Sequence, residues 1–550
     1  MHQFHSPLIT PRRTRVISTL CAAFLLAACG GGGGSSDTSS SGGGSGGGSG
    51  SGGNTTWTPG VYSDPDTFAA RCTAPRGGND PSTGRPYPDR AGTRLDENNW
   101  LRSWTHDLYL WYREVEDRNP ALFETAEYFD LLKTNATTAS GRPKDNFHGS
   151  LDTAAYQRLS NDGVSIGYGV IWTLPAASPP RDIRVALVEP GSPAASTTVA
   201  LERGLRVIEI DGVDAVNDGG ESTPDLLNAA LYPETEGETH TFVFADPETD
   251  ERRTVTLTAE SVTYQPVPST QVINTPTGPV GYLLFTDHIA TAERALFDAV
   301  STLDSAEVKD LVLDLRYNGG GFLDIASELA YMVAGADRTR GRAFESQRFN
   351  DKHTVRNPVT GDVLRPLPFR STTAGFSVPS GRALPTLELP RVFVLTGSET
   401  CSASESIMNA LAGIGVEVIQ IGSTTCGKPY GFYPEDNCGT TYFSIQFQGV
   451  NDAGFGDYAD GFSPVEGAAA TGAQLPGCAV NDDFLEPLGV PTEDRLAAAL
   501  AYRETNRCPD AAPAPLAFAR ARSTSDSILR TPAWRQLRIA TPPTESNDGS

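Results

Sequence analysis

Two side chains in the stretch TGSETCSASESIMNALAGIGVEVIQIGSTTCGKPYGF, residues 396–432, could do chemistry together: Ser402 and Lys428. A serine hydroxyl is a weak nucleophile until a neighbouring base takes its proton. A lysine can be that base once it is neutral, which requires burial or nearby positive potential to pull it below its free value of about 10.4. The same letters admit a second chemistry. Gly422 to Lys428 reads G-S-T-T-C-G-K and satisfies the GxxxxGK spacing of a phosphate loop. Pro429, however, stands where that loop needs a Ser or Thr for Mg²⁺, and the following YGFYPEDN does not open a helix. We therefore set the phosphate reading aside.

A third piece is DLRYNGGG, Asp314 to Gly321. Glycines there let the backbone approach a reacting carbonyl and offer it N–H donors, each commonly worth about 3–4 kcal/mol to a transition state. His288, in LLFTDHIA, offers a different base and with it a Ser-His-Asp hydrolase. Its expected place is structural or solvent-facing.

These groups need a scaffold that brings them to one edge. RVFVLTG reads as a strand and ASESIMNALAGI as a helix with Ala403, Ile407, Ala410, Leu411 and Ile414 on one face. Ser402 then sits at the strand-to-helix junction, where free backbone N–H groups favour negative charge. VEVIQIG is the next strand, and Lys428 follows its end. Upstream, VGYLLF, ERALFDAVSTL, DLVLDLR and LDIASELAYMV alternate strand and helix. From about 263 to 510 the pattern is an α/β layer with a largely parallel sheet, in which ligands gather at the carboxyl ends of strands.

Residues 158–262 change character. GVSIGYGVIW, IRVALV, GLRVIEIDG, HTFVFAD and RRTVTLTA are short β runs around one helix, TPDLLNAALY. Residues 56–157 turn helical, with Trp100, Leu101, Trp104, Leu108 and Trp111 expected on one face and ALFETAEYFDLLKT as a second helix.

The β region resembles a PDZ domain: SIGYGV, VEPGSPAA and VIEIDGV fall where that family has its signatures, though RGLR replaces the usual GD. Behind it, DLRYNGGG, SASES and STTCGK resemble the S41 peptidases, the C-terminal processing protease family, from about residue 95 to 505. The resemblance implies a multidomain α/β protein: an α/β protease core of S41 type, a PDZ-like β domain before it, and a helical N-terminal region. It implies a serine endopeptidase with a Ser-Lys dyad, in which Ser402 is the nucleophile, Lys428 the base, and Ser404 a neighbour without that role. The oxyanion donors would be the backbone N–H groups of Gly320 and Ala403. The loop Ile166, Gly167, Tyr168 and Gly169 would receive the C-terminal carboxylate of an exported protein or peptide while that peptide adds a strand. No cofactor and no metal is implied. Two departures stand out: Pro429 replaces a usual glycine, and Phe432 replaces the glutamine that orients the lysine in many members. The segment between serine and lysine also looks one residue longer. If these changes removed activity, the chain would be a peptide-binding module.

The formal charge is −24, from 67 acidic and 43 basic residues, which argues against nucleic acid or an anionic membrane surface as the main partner. Arg12, Arg13 and Arg15 precede the apolar run VISTLCAAFLLAA and then Cys29. This is an export signal over residues 1–28, and LAAC resembles a bacterial lipobox that would lipidate Cys29. Residues 29–55 would be a Gly/Ser tether, and 511–550 a partly disordered tail. The expected location is the bacterial cell envelope, lipid-anchored at the outer membrane, with Gly30 in place of an inner-membrane retention aspartate and the body in the periplasm or at the cell surface. Six further cysteines in an exported chain predict disulfides, with Cys426 to Cys438 and Cys478 to Cys508 as candidates and Cys72 and Cys401 unassigned. No CxxC or paired histidine suggests zinc.

Overall fold

Leu311 and Leu313 of strand Asp310–Asp314 pack with Leu283, Val392, Val394 and Val418, while Val312 packs with Tyr282, Phe393, Leu395, Ile419 and Ile421. A strand apolar on both sides belongs to a sheet covered on both faces. The structure, a computed structural model, describes residues 57–466, 472–509, 529 and 538–541. Its central sheet has seven strands in the order Ser269–Thr275, Gly278–Leu284, Asp310–Asp314, Arg391–Thr396, Glu417–Gly422, Ala473–Ala479 and Phe462–Glu466. Only the first pairing is antiparallel.

Helices Ala292–Ser305, Leu323–Thr339 and Ala403–Gly413 cover one face with Leu296, Leu329, Met332, Ile407 and Leu411. Helix Asp494–Thr505 covers the other with Leu496 and Ala499. Because Asp310–Asp314, Arg391–Thr396 and Glu417–Gly422 are parallel neighbours, their carboxyl ends share one edge. The loops holding Asn318, Ser402 and Lys428 all leave from it.

The region of residues 164–263 holds a six-stranded antiparallel sheet, with Val170–Ala176 at one edge and Arg252–Thr258 at the other. Helix Thr223–Leu231 packs Leu227, Ala230 and Leu231 with Tyr168, Trp172, Phe242 and Phe244.

Two helical expectations are corrected. Helix Arg94–Leu108 starts at a reciprocal Thr93–Asp96 cap and buries Trp100, Leu101 and Trp104, but it ends before Trp111. There Leu110 donates its N–H to Ile445 O (2.8 Å) instead of continuing the helical ladder, and Trp111 sets its ring edge-on to Tyr430, 4.7 Å between centroids. The second helix shrinks to Thr125–Asp130, preceded by a 3₁₀ turn at Pro120–Leu122.

Cysteine pairing also differs. The disulfides are Cys72–Cys438, Cys401–Cys426 and Cys478–Cys508, not Cys426–Cys438. The parallel strands bring Cys401 and Cys426 to the same edge, with Cα atoms 5.1 Å apart. Cys438 is left beside residues 70–72, where Ala70 N–H donates to Asn437 Oδ1 (2.9 Å). The expected export signal, Cys29, the expected tether and most of the tail lie outside the described residues. Among the described residues, no helix is long and apolar enough to cross a membrane.

Candidate active site

Ser402 occupies the turn between strand Arg391–Thr396 and helix Ala403–Gly413 with φ +63°. That conformation costs a residue with a Cβ about 1–3 kcal/mol and persists only where its surroundings fix it. Cys401 N–H donates to Asn318 O (3.0 Å), Cys426 N–H to Thr400 O (3.0 Å), and Thr400 Oγ1 to Leu315 O (2.8 Å). With the Cys401–Cys426 disulfide, these bonds lash the three loops together. Ser402 is fully buried and its Oγ has no hydrogen-bond partner, whereas Ser404 Oγ donates to Asn318 O (3.1 Å). Of the two serines, only Ser402 keeps its hydroxyl uncommitted.

Glu405, one turn into the helix, organises the site. Its Oε2 accepts the N–H groups of Ser402 (2.9 Å) and Lys428 (2.8 Å); its Oε1 accepts Gly427 N–H (2.9 Å) and Thr425 Oγ1 (2.5 Å). Burial pushes the Glu405 carboxyl up from its ordinary value, against the hydrogen bonds from Thr425, Lys428, Ser402 and Gly427, which pull it down. Gly427 turns the chain into Lys428 at φ +85°, where a Cβ would come within 2.4 Å of Ala459 O. Lys428 is fully buried, its Nζ 4.7 Å from the Phe147 ring centroid and 4.5 Å from that of Phe432. Phe432 thus places a ring face by the Lys428 amine where glutamine was the usual expectation. After Lys428 the chain continues as strand Tyr430–Gly431, not as a helix.

The glycine loop is braced by His288. His288 N–H donates to Gly320 O (3.0 Å) and Phe322 N–H to His288 O (2.9 Å); a Cβ on Gly321 would meet His288 O at 2.5 Å. Asn318 Nδ2 donates to Phe285 O (3.0 Å), so its Oδ1 accepts, from His288 Nδ1 and from Gly320 N–H, both at 2.9 Å. The Gly320 N–H, expected to face an oxyanion, is engaged by Asn318 here. Ala403 is the first helical residue after Ser402. His288 is buried, not solvent-facing, and burial lowers it to about 3, so it is neutral.

Sequence reasoning missed Glu405, Asn318 and a buried ion network behind the loop. Arg316 Nε bonds Asp314 (3.0 Å), its Nη1 and Nη2 hold both oxygens of Glu493 (2.7 and 2.9 Å), and Nη1 also reaches Asp482 (2.8 Å). Arg203 of the antiparallel domain joins it through Tyr317 OH (2.6 Å) and Asp482 (2.8 Å). The Glu405 signal was present as a Glu at the third position of a helix beginning after serine; of the partners of Arg316, Asp314 is two residues away, but Asp482 and Glu493 lie too far along the chain for any local pattern.

Of the expected peptide loop, Ile166 and Gly167 pair with Ser261 and Glu260. Tyr168 is buried with its OH donating to Ala230 O (3.0 Å), and Gly169 turns at φ +74°. Ile166, Gly167, Val170 and Trp172 line, with Asn228 and Leu231, a cavity of about 780 Å³. Cys401, Glu405 and Cys426 are close enough to share a metal ion, but their sulfurs are bonded to each other and the donor set is closed.

Residues 279–431 match Peptidase family S41. The chain is 26% identical over 336 residues to a carboxyl-terminal-processing protease of Picosynechococcus, spanning 61% of this chain and 68% of that protein. It is 28% identical over 229 residues to the chloroplastic carboxyl-terminal-processing peptidase 2 of Arabidopsis thaliana, spanning 40% of this chain and 42% of that one. A solved Bacteroides fragilis structure described as an S41 protease superposes with a TM-score of 0.52 at 22% identity, covering 76% of this chain and 98% of its own; this likeness is one of fold.

Proposed function

We propose, for a chain that carries a peptidase family S41 domain and is homologous to carboxyl-terminal-processing proteases, a serine endopeptidase working through Ser402 and Lys428. The observation that carries this reading is the suspension of both residues from one oxygen of Glu405, with Ser402 Oγ uncommitted. In the proposed reaction Ser402 Oγ attacks a peptide carbonyl carbon as its proton passes to Lys428 Nζ. The carbonyl oxygen gains the negative charge and is met by backbone N–H groups, that of Ala403 at the helix start and that of Gly320 once Asn318 yields it. Collapse of this intermediate breaks the C–N bond, and Lys428 returns the proton to the leaving amine. Water then hydrolyses the acyl-enzyme by the same two groups.

The antiparallel domain is read as a PDZ module that receives substrate C-termini beside Ile166–Gly169. Export and a lipid on Cys29 would place the reaction in the bacterial envelope.

A hydrolase based on His288 finds less support. A neutral imidazole held to about 3, with Nδ1 engaged by Asn318, has little affinity for the serine proton. Peptide cleavage by single variants separates the two. Lys428→Ala should lose at least about 10³ in kcat while His288→Ala retains measurable turnover; the reverse ranking would overturn the assignment.

A further inference from the structure

The chain's own tail lies between two loops of the candidate site. Strand Arg538–Ile539 runs parallel to Gly321–Phe322, with Arg538 opposite Gly321 and Ile539 opposite Phe322. On its other side Ile539 bridges Phe432, and Ala540 N–H donates to Phe432 O (3.0 Å). The tail is therefore the middle strand between the glycine loop and the segment after Lys428. Both flanks belong to the chemistry: Gly321 follows the oxyanion candidate Gly320, and the Phe432 ring stands 4.5 Å from Lys428 Nζ.

Ile539 and Ala540 are buried, and Ile539 lines a small cavity with Gly319, Gly320, His288 and Ile171. Thr541 Oγ1 donates to Asp324 in the first turn of helix Leu323–Thr339. Ten residues earlier in the tail, Leu529 donates its N–H to Ala177 O (3.0 Å) and is buried in the core of the antiparallel domain. One tail thus touches both the domain read as peptide-binding and the loops of the candidate site.

A substrate offering its carbonyl to the glycine loop must pass it as an extended strand, since pairing with exposed backbone is how such an edge takes a peptide. We propose that residues 538–541 occupy the substrate groove of the chain that carries them, and that the groove takes an extended peptide with an aliphatic side chain followed by a small one. The tail then competes with substrate and restrains the enzyme until it is displaced. This inference rests on the peptidase reading for its effect on rate, though not for the docking itself.

The test uses full-length protein. Ile539→Asp puts a charge in the buried position without touching the proposed dyad, and should raise kcat/KM on a fluorogenic peptide roughly tenfold, mostly through a lower apparent KM. A synthetic peptide of residues 535–544 added to this variant should inhibit competitively, and Ile539→Val should behave as the parent. Unchanged or lower activity in a variant with the parent's Tm, together with a peptide that does not inhibit, would overturn the proposal. Should the variant unfold, Thr541→Ala is read in the same way. Anisotropy of the labelled peptide on Ser402→Ala/Ile539→Asp protein measures docking without catalysis. Binding there with no cleavage by any variant would sink the peptidase reading and leave the groove; cleavage without binding would sink the groove alone.

Discussion

Ser402 and Lys428 donate their backbone N–H groups to the same atom, Glu405 Oε2, at 2.9 and 2.8 Å. A single acceptor therefore sets the separation of the two residues proposed to exchange a proton. Glu405→Gln replaces one acceptor oxygen by a donor facing N–H groups, and Glu405→Ala leaves four donors unsatisfied in a buried site, at about 1–3 kcal/mol each. Both variants should lower kcat by about a hundredfold or more with KM little changed, because geometry and not substrate contact is lost. A variant that changed only KM would place Glu405 in substrate binding instead.

The Cys401–Cys426 and Cys478–Cys508 bridges close loops of similar span, 25 and 30 residues, so each should stabilise the fold by about 3 kcal/mol. Their positions differ. Cys401 adjoins Ser402 and Cys426 lies two residues before Lys428, whereas Cys478 packs on the far face of the sheet beside Leu496. Cys401→Ala/Cys426→Ala should abolish activity at temperatures where the protein remains folded by circular dichroism. Cys478→Ala/Cys508→Ala should lower Tm and spare kcat.

Gly427 precedes Lys428 in the left-handed region, with Ala459 O where a Cβ would go. Gly427→Ala forces either that strain or a shift of the lysine. It should cost about 2 kcal/mol or more in denaturant unfolding and remove most activity.

Glu328, buried in helix Leu323–Thr339, is raised from its ordinary value to about 9, first by burial and then by Glu293. Its Oε1 accepts Ala374 N–H (2.7 Å) and its Oε2 has no partner. The folded chain keeps a proton that the unfolded chain has released, so stability falls as pH climbs from about 4.5 to about 9. Glu328→Gln keeps the neutral shape without the titration. Its Tm should match the parent near pH 5 and exceed it near pH 8.5; equal Tm values at both would contradict this.

The sheet and its helices were legible because period-two and helical apolar patterns are local. RVFVLTG and ASESIMNALAGI became Arg391–Thr396 and Ala403–Gly413 within about a residue at each end. What failed depended on distant partners. Trp111 left its helix because Leu110 found Ile445, and Cys426 paired with Cys401 because two parallel strands ended together. The ring beside Lys428 is a mixed case. Phe432 was visible as a departure, but Phe147 approaches from another part of the chain and no spacing announces it.

The most direct test is covalent labelling with a fluorophosphonate probe, located by peptide mass spectrometry. The account predicts one adduct, on Ser402, lost in Ser402→Ala, strongly slowed in Lys428→Ala and retained in Ser404→Ala. An adduct on Ser404, or labelling of Ser402 at the parent rate without Lys428, would contradict it.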